Sequence, residues 1–552
     1  MDITRREFIK TVSLLGGAVI IGGCELFSPR EEIPPYIYGG GFADPIETVT
    51  GIDTIYSVCA MCEGNCGIRA RIKDGWLVKI DGNPYHPNSR EPHLPFQTDS
   101  KEAIKVAGST CVKGQSGIQT LYNPYRVKEP LKRVGPRGSG IWKAISWEQA
   151  VGEIVNGGDL FGEGTFEGLR QIRDVHRPLD KSRPEFGPGA NRLILLSGRI
   201  DLGAKTFLNR FMNAYGSVNR IYGDETLWDS SRRTGFQLTF DQDHDDLQPD
   251  VLNCRYLISF GSSPLESGNP MQSVARKLMK ARFGPLGGIE SIQDKGYRKT
   301  YKGRYGQLKW VAVDPRMSES ASKAHQWIPI KPGTYAALAL GMIRRIIEKA
   351  QYNRAFLENT SAKAAQRDGE EVWTDAAYLV RLDTMTFIKA DEAGLAGKSS
   401  KFLVFDGERV VPFDSVDHGV LEADVRLNGI RCKSVFSLLK ERAYEKTLEQ
   451  YGQICGVGPD DIKKIADEFA ENGRRAVAEL GEGGASHVNG TYTARTINIL
   501  NLLVGNVNRK GGLIVGGNWE VTKKKRLLFE MEHVENGPHL AGLRIDRAGV
   551  AY

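Results

Sequence analysis

Three cysteines crowd one short stretch, Cys59-Ala60-Met61-Cys62-Glu63-Gly64-Asn65-Cys66. A fourth, Cys111, stands far downstream in Gly108-Ser109-Thr110-Cys111-Val112-Lys113-Gly114. A C-x2-C-x3-C triplet with a distant single suits a cubic 4Fe-4S cluster. Three thiolates on one tight loop grip three irons, and the fourth comes from wherever the fold brings it. A structural zinc ion and two disulfides are the alternatives. Zinc sites usually pair two short-spaced dyads, which this pattern lacks. Lys113 is placed to steady the reduced form of an anionic cluster and to bridge to a second cofactor. The plainer reading makes it an exposed lysine.

A loop of this kind needs a support. Ile68-Arg69-Ala70-Arg71-Ile72-Lys73 alternates as a strand, Asp74-Gly75 reads as a hairpin turn, and Trp76-Leu77-Val78-Lys79-Ile80 as the return strand. From about residue 150 the pattern changes to apolar strands that lead into helices: Arg192 to Arg199, Tyr256 to Gly261 with a helix near Met271 to Arg282, and Leu308 to Val313. This predicts parallel βαβ units and an α/β fold. Ligands of such sheets sit outside the carboxyl ends of the strands, so Gly261-Ser262-Ser263-Pro264 and Asp314-Pro315-Arg316 are placed to meet a nucleotide. Lys331-Pro332-Gly333-Thr334 precedes a helix over Tyr335 to Ala350, with Thr334 as its cap; it reads equally as a phosphate site and as an ordinary helix start. Pro459 to Asn472 reads as an amphipathic helix and Ala476 to Leu480 as a strand feeding the glycine-rich Gly481 to Gly484. His487 and Asn489 follow on a second strand–helix turn, where a structural and a functional histidine are both open. There is no G-x-G-x-x-G followed by a suitable acid, which disfavours a nicotinamide site.

With 552 residues, 40% hydrophobic and 26% charged, the chain has room for three or four domains. A net charge of +7 from 74 basic and 67 acidic residues, without a basic stripe, argues against nucleic acid. Thr4-Arg5-Arg6-Glu7-Phe8-Ile9-Lys10 and the apolar run to Gly23 form a twin-arginine export signal, too short and glycine-rich to span a bilayer. Ile21-Gly22-Gly23-Cys24 is similar to a lipoprotein cleavage box, which would put lipid on Cys24; ordinary cleavage without lipid is the alternative. Cys254, Cys432 and Cys455 are expected to be buried structural thiols.

Gly114-Gln115-Ser116-Gly117, Leu121-Tyr122-Asn123-Pro124-Tyr125-Arg126, Pro130-Leu131-Lys132-Arg133 and Trp142-Lys143-Ala144-Ile145-Ser146-Trp147-Glu148-Gln149-Ala150 resemble the catalytic subunits of molybdopterin-dependent oxidoreductases. Within that dimethyl sulfoxide reductase superfamily the resemblance is to the tetrathionate, polysulfide and arsenate reductase branch, tetrathionate reductase being nearest. It implies a molybdopterin guanine dinucleotide carrying Mo or W, contacted by Lys113, Gly261, Ser262, Pro264, Asp314, Arg316, Lys331, Gly333, Thr334 and Asn489. It also implies a segment near the metal around His487, and Gly505 to Gly512 as a closing turn. The implied partners are an electron-transfer subunit with iron–sulfur clusters and a quinol-oxidising membrane subunit, on the periplasmic or cell-surface side of the membrane. The implied activity is anaerobic respiratory reduction of a sulfur oxyanion, tetrathionate first, with polysulfide, thiosulfate or arsenate open.

The chain departs from this pattern at three places. Trp228 stands where the branch has a metal-binding cysteine, leaving Asp229, the Ser230 hydroxyl, no protein atom as ligand, or no metal at all. Tyr335 stands where the family has an acid. Beyond the closing turn only residues 516–552 follow, with the basic run Lys523-Lys524-Lys525-Arg526, where the family continues into a barrel domain covering one pterin. The organisation expected is a signal over 1–24, a linker over 25–50, the 4Fe-4S domain over 51–125, a pterin-binding α/β domain from 126–170 with 331–515, an inserted dinucleotide-binding α/β domain over 171–330, and a tail. Asp229, His487 and Arg199 are the candidate catalytic residues, the basic side chains of Arg199, Arg232, Arg233 and His487 steering the oxyanion and stabilising its developing charge. A protein that keeps the cluster but serves as conduit or scaffold in a redox complex is the rival reading.

Overall fold

The computed structural model describes residues 52–62, 64–198, 200, 202–223, 229–241, 247–268, 271–283, 307–395, 400–515 and 533–544. The chain divides into two compact units, with the boundary after Arg126.

The first unit is a small antiparallel sheet of β1 (Ile52–Val58), β2 (Gly67–Lys73) and β3 (Trp76–Gly82), in that order. Asp74 and Gly75 both have positive φ, 51° and 81°, which is the backbone a two-residue hairpin requires between right-twisted strands. Three short helices follow: α1 (Ser100–Ile104), α2 (Val112–Gln115) and α3 (Gly117–Leu121).

In the second unit β4 (Leu195–Ser197) and β5 (Arg220–Tyr222) pair in parallel, joined by helix Leu202–Tyr215. The expected strand of Arg192 to Arg199 is therefore shorter than its apolar run, because residues 189–192 turn as a 3-10 helix. After α4 (Ser230–Phe240) comes the main sheet, built from β6 (Tyr256–Phe260), β7 (Lys309–Val313) and β8 (Gln326–Ile328). It is completed far downstream. After α5 (Tyr335–Glu348) and α6 (Pro459–Asn472), β9 (Ala476–Leu480) enters beside β6, so the order is β8-β7-β6-β9, all parallel. Every residue of β6 is buried, as expected of a central parallel strand covered on both faces. Trp310 lies fully buried in β7 with its indole N–H on the Ser259 hydroxyl at 2.8 Å.

The boundary expected at residue 330 runs through this sheet, which takes three strands from before it and one from after. The apolar core is continuous across it: Ile258 and Val311 pack in one cluster with Leu338, Ile343, Ile462, Phe469 and Ala478. Helix α6 starts on Pro459 with Asp460 and Asp461 in its first turn, and buries Ile462, Ile465, Ala466 and Phe469 as one stripe. Helix α7 (Gly490–Val504) ends on Gly505 in the left-handed region. The closing turn beyond it is pinned by buried Glu370, whose carboxylate accepts from both Arg474 and Arg509. The strand-rich stretch around 400–430 contributes to two further antiparallel sheets, of four and two strands, over a core of Leu379, Ile388, Leu403 and Cys432.

Candidate cofactor sites

The thiol site is built on the strand ends of the first unit. Cys59 leaves β1 and Cys66 enters β2 where Val58 and Gly67 are register partners. The Cys59 N–H donates to the Cys66 carbonyl at 2.8 Å and closes the loop. Cys111 sits at the N-terminal end of α2. Gly114 allows that helix to come close: a Cβ there would lie 2.2 Å from the Thr110 hydroxyl oxygen and 3.5 Å from the Cys59 sulfur. The Cys59 thiol is pushed up by burial first, and also by Cys62 and Cys111, while a backbone hydrogen bond at Met61 and the Lys113 ammonium pull it down. So Cys59, Cys62, the distant Cys111 and Lys113 share one electrostatic neighbourhood. None of the four thiols is in a disulfide, nor are Cys254, Cys432 and Cys455, which are buried. Two disulfides are thus not the arrangement, and thiolates of this spacing are the donor set of a cubic iron–sulfur cluster.

The second site lies at the carboxyl ends of the main sheet, where parallel-sheet ligands bind. Gly261 follows β6 with φ of 56°, and a Cβ on it would lie 2.5 Å from the Gly484 nitrogen. A Cβ on Gly481 would lie 2.5 Å from the Gly261 carbonyl oxygen. Only glycine lets the two loops touch in this way. The Ser263 hydroxyl donates to buried Asp314 at 3.3 Å, and the Asp314 carboxylate also accepts from the Arg316 N–H at 3.1 Å. The Arg316 guanidinium is engaged with Glu266, whose carboxyl is held low by it. Pro264 opens the short helix Pro264–Ser267 at its first position. Tyr335 is buried against this edge, its hydroxyl 3.1 Å from a Cβ built on Gly261; burial, then the Asp314 charge, pushes its phenol up to about 12. A neutral phenol thus fills the position where an acid was expected.

Thr334 does not cap α5. Its hydroxyl donates back to the Lys331 carbonyl at 2.6 Å, and the Lys331 ammonium goes to the Gln453 carbonyl at 3.0 Å. Gly333, at φ of 74°, supplies the left-handed turn between them.

Asp229 stands at the N-terminal end of α4 without capping it. Both its carboxylate oxygens are gripped at 2.8 Å by the fork of Arg232, which also donates to the Leu480 carbonyl at 3.1 Å. Asp229 therefore anchors an arginine at the end of β9, and a metal bound to it would first have to displace that fork. His487 is locked inside its own turn: Nδ1 accepts from the Asn489 N–H at 3.3 Å, which leaves Nε2 to donate to the Gly484 carbonyl at 3.0 Å. Asn489 flanks the start of α7 without a side-chain cap bond, and its carbonyl accepts from the Thr493 hydroxyl. The two helix starts are adjacent, since a Cβ on Gly490 would lie 2.9 Å from the Ser231 Cβ. The structure thus gathers Gly261, Ser262, Asp314, Asp229 and His487 around one sheet edge. Arg199, Trp228, Cys24 and Lys523 to Arg526 lie outside the described residues.

Glu479 is the residue that sequence reasoning missed. Its carboxyl is pushed up by burial, against the pull of Arg232 and a hydrogen bond with Ser262. The signal was an acid in the otherwise apolar strand Ala476 to Leu480.

Both stretches of chain match known protein families. Residues 52–123 match the molybdopterin oxidoreductase Fe4S4 domain, and residues 195–537 match the molybdopterin oxidoreductase domain. The chain belongs to the molybdopterin oxidoreductase family, within the dimethyl sulfoxide reductase superfamily. It is 34% identical to a selenate reductase subunit of Mesobacillus selenatarsenatis, over 94% of this chain and 52% of that one. It is also 34% identical to a tetrathionate reductase subunit of Salmonella typhimurium, over 100% of this chain and 56% of that one. The corresponding tetrathionate reductase chain of Archaeoglobus fulgidus is 27% identical over 100% and 53%. The chain thus spans about half the length of the curated relatives it matches. Its cofactors are a 4Fe-4S cluster and a molybdopterin. The residues present suit both in kind: Cys59, with Cys62, Cys111 and Lys113 near it, offers thiolates for the cluster, and a polar strand-end edge, its loops glycine at their closest approach, offers a seat for the pterin dinucleotide.

Proposed function

We propose that this chain carries the cluster and the pterin of an exported respiratory reductase for a sulfur or selenium oxyanion. What carries the reading is the pairing, in one chain, of a thiol quartet with a strand-end site that holds Arg232 by a fork. The relatives named for tetrathionate and selenate support the substrate class. The bound molybdopterin, with Mo or W, supplies the two-electron redox centre. Two electrons cleave the central S–S bond of tetrathionate to give two thiosulfates; two electrons and two protons convert selenate into selenite and water. The residues of this chain bind and orient. Arg232, locked by Asp229 and the Leu480 carbonyl, holds the sheet edge in shape, and Arg233 beside it adds positive charge for an anion. Electrons enter from an iron–sulfur partner fed by a quinol-oxidising membrane subunit. The Arg5-Arg6 signal supports export to the periplasmic or cell-surface side, with Cys24 as lipid anchor.

The test is turnover with a reduced artificial donor, on anaerobically purified protein with its native partners. Tetrathionate, thiosulfate, polysulfide, selenate and arsenate would be compared. We expect oxidation of the donor by tetrathionate or selenate, lost in Arg232→Gln. Full metal loading with no turnover of any of the five would overturn the reading. The fork on Asp229 favours one second reading, in which this chain keeps the cluster, holds no molybdenum or tungsten and serves as an electron conduit. Four irons per chain without molybdenum or tungsten would select it.

A further inference from the structure

We infer that the sheet behind the thiol loop sets the reduction potential of the cluster, through Arg69 and Lys79 held as buried positive charges. Arg69 pairs with Asp81, and Arg71 with Lys79, across β2 and β3. Residues directly opposite share a face, as do residues two apart on a strand, so all four side chains lie on one face. They are buried there, at 2%, 1%, 9% and 8% exposure for Arg69, Arg71, Lys79 and Asp81. Asp81 carries the one carboxylate of the four. Arg71 takes it at 2.6 Å and Lys79 at 3.2 Å. If Arg71 and Asp81 neutralise each other, Arg69 and Lys79 still remain. The Arg69 guanidinium donates to the Ala103 and Ile104 carbonyls at 3.2 and 3.0 Å, which are neutral acceptors. An arginine cannot shed its proton to escape burial.

This face is tied to both ligand segments. Arg69 is three residues past Cys66, about 10 Å along a strand. Gly82, next to Asp81, donates to the Gly108 carbonyl at 3.3 Å, and a Cβ on it would lie 2.4 Å from the Ser109 carbonyl oxygen, two residues before Cys111. Buried charges at this range are little screened by salt. The cluster gains one negative charge on reduction, so fixed positive charge favours the reduced form and raises the potential, whereas Asp81 lowers it. Burying three cations around one carboxylate, with Arg69 leaning largely on neutral carbonyls, costs stability. A nearby centre whose negative charge grows on reduction gives that cost a use.

The inference rests on the cluster assignment, and the experiment separates the two. The full-length chain is purified anaerobically, its iron counted, and the cluster midpoint measured by potentiometric titration with electron paramagnetic resonance. We expect Arg69→Met and Lys79→Met to shift the midpoint to more negative potential, Asp81→Asn to shift it to more positive potential, and Arg69→Lys to leave it near wild type. Iron-loaded variants with unchanged midpoints, or charge-removing variants of opposite sign that shift the same way, would overturn it. If Arg69→Met loads no iron, Lys79→Met and Asp81→Asn still decide the sign. Absence of iron from the wild-type chain would remove the cluster assignment itself.

Discussion

The thiol loop and the sheet edge are built by opposite strategies. The first uses four side chains of one type, three of them within eight residues, held by a single hairpin and one backbone hydrogen bond from Cys59 to Cys66. The second uses many residue types, drawn from segments more than two hundred residues apart, and most of its polar groups are engaged with one another: Asp229 with Arg232, Ser263 with Asp314, Arg316 with Glu266. A site of identical donors should fail all at once when one is lost. A site of interlocked unlike parts should fail by degrees.

The largest effect is therefore expected at the thiols. Cys111→Ser should lose iron and the visible absorption of the cluster almost entirely, because the fourth iron loses its thiolate; a variant that keeps full iron would place the fourth ligand elsewhere. In the second unit, Trp310→Ala should destabilise by about 3–5 kcal/mol, since it empties a fully buried site and leaves the Ser259 hydroxyl without its indole partner. Denaturant unfolding reads this, and a loss below about 1 kcal/mol would show that the sheet core is not where the structure puts it. Gly261→Ala should cost about 1–3 kcal/mol by overpacking against Gly484, with pterin content falling in step; unchanged pterin would separate that loop from the site.

The smallest effect concerns Glu479. Burial raises its pKa in the folded chain, so its contribution to stability is fully present below the unfolded carboxyl value and is lost as pH rises through the folded one. Glu479→Gln should remove that loss. Its stability relative to wild type should improve from about pH 5 to about pH 8 in paired denaturation curves. A constant difference across that range would mean the carboxyl is ionised as in the unfolded chain.

The same contrast explains what could be read from the sequence. The cluster was legible because thiol spacing is local and the Asp74-Gly75 turn announces its hairpin. The helix over Pro459 to Asn472 and the strand Ala476 to Leu480 were legible in their full extent, because proline, acidic first-turn residues and apolar periodicity agree there. The sheet order was not legible. Nothing near residue 330 says that β9 will cross back to pair with β6, so a domain boundary was expected where the sheet is continuous. Site residues suffered for the same reason. Asp229 reads as a free oxygen donor until Arg232 is seen folded onto it one helical turn away. Thr334 has the residue type of a cap, but its hydroxyl goes back to Lys331. Side-chain choice between such neighbours depends on packing that spacing does not encode.

The most direct test of the account is metal analysis of the anaerobically purified protein, with iron and molybdenum or tungsten counted per chain. The account predicts about four irons and one molybdenum or tungsten. Protein that is folded and free of iron would contradict it, because the thiol quartet would then hold no cluster and the sheet behind it no charge to balance.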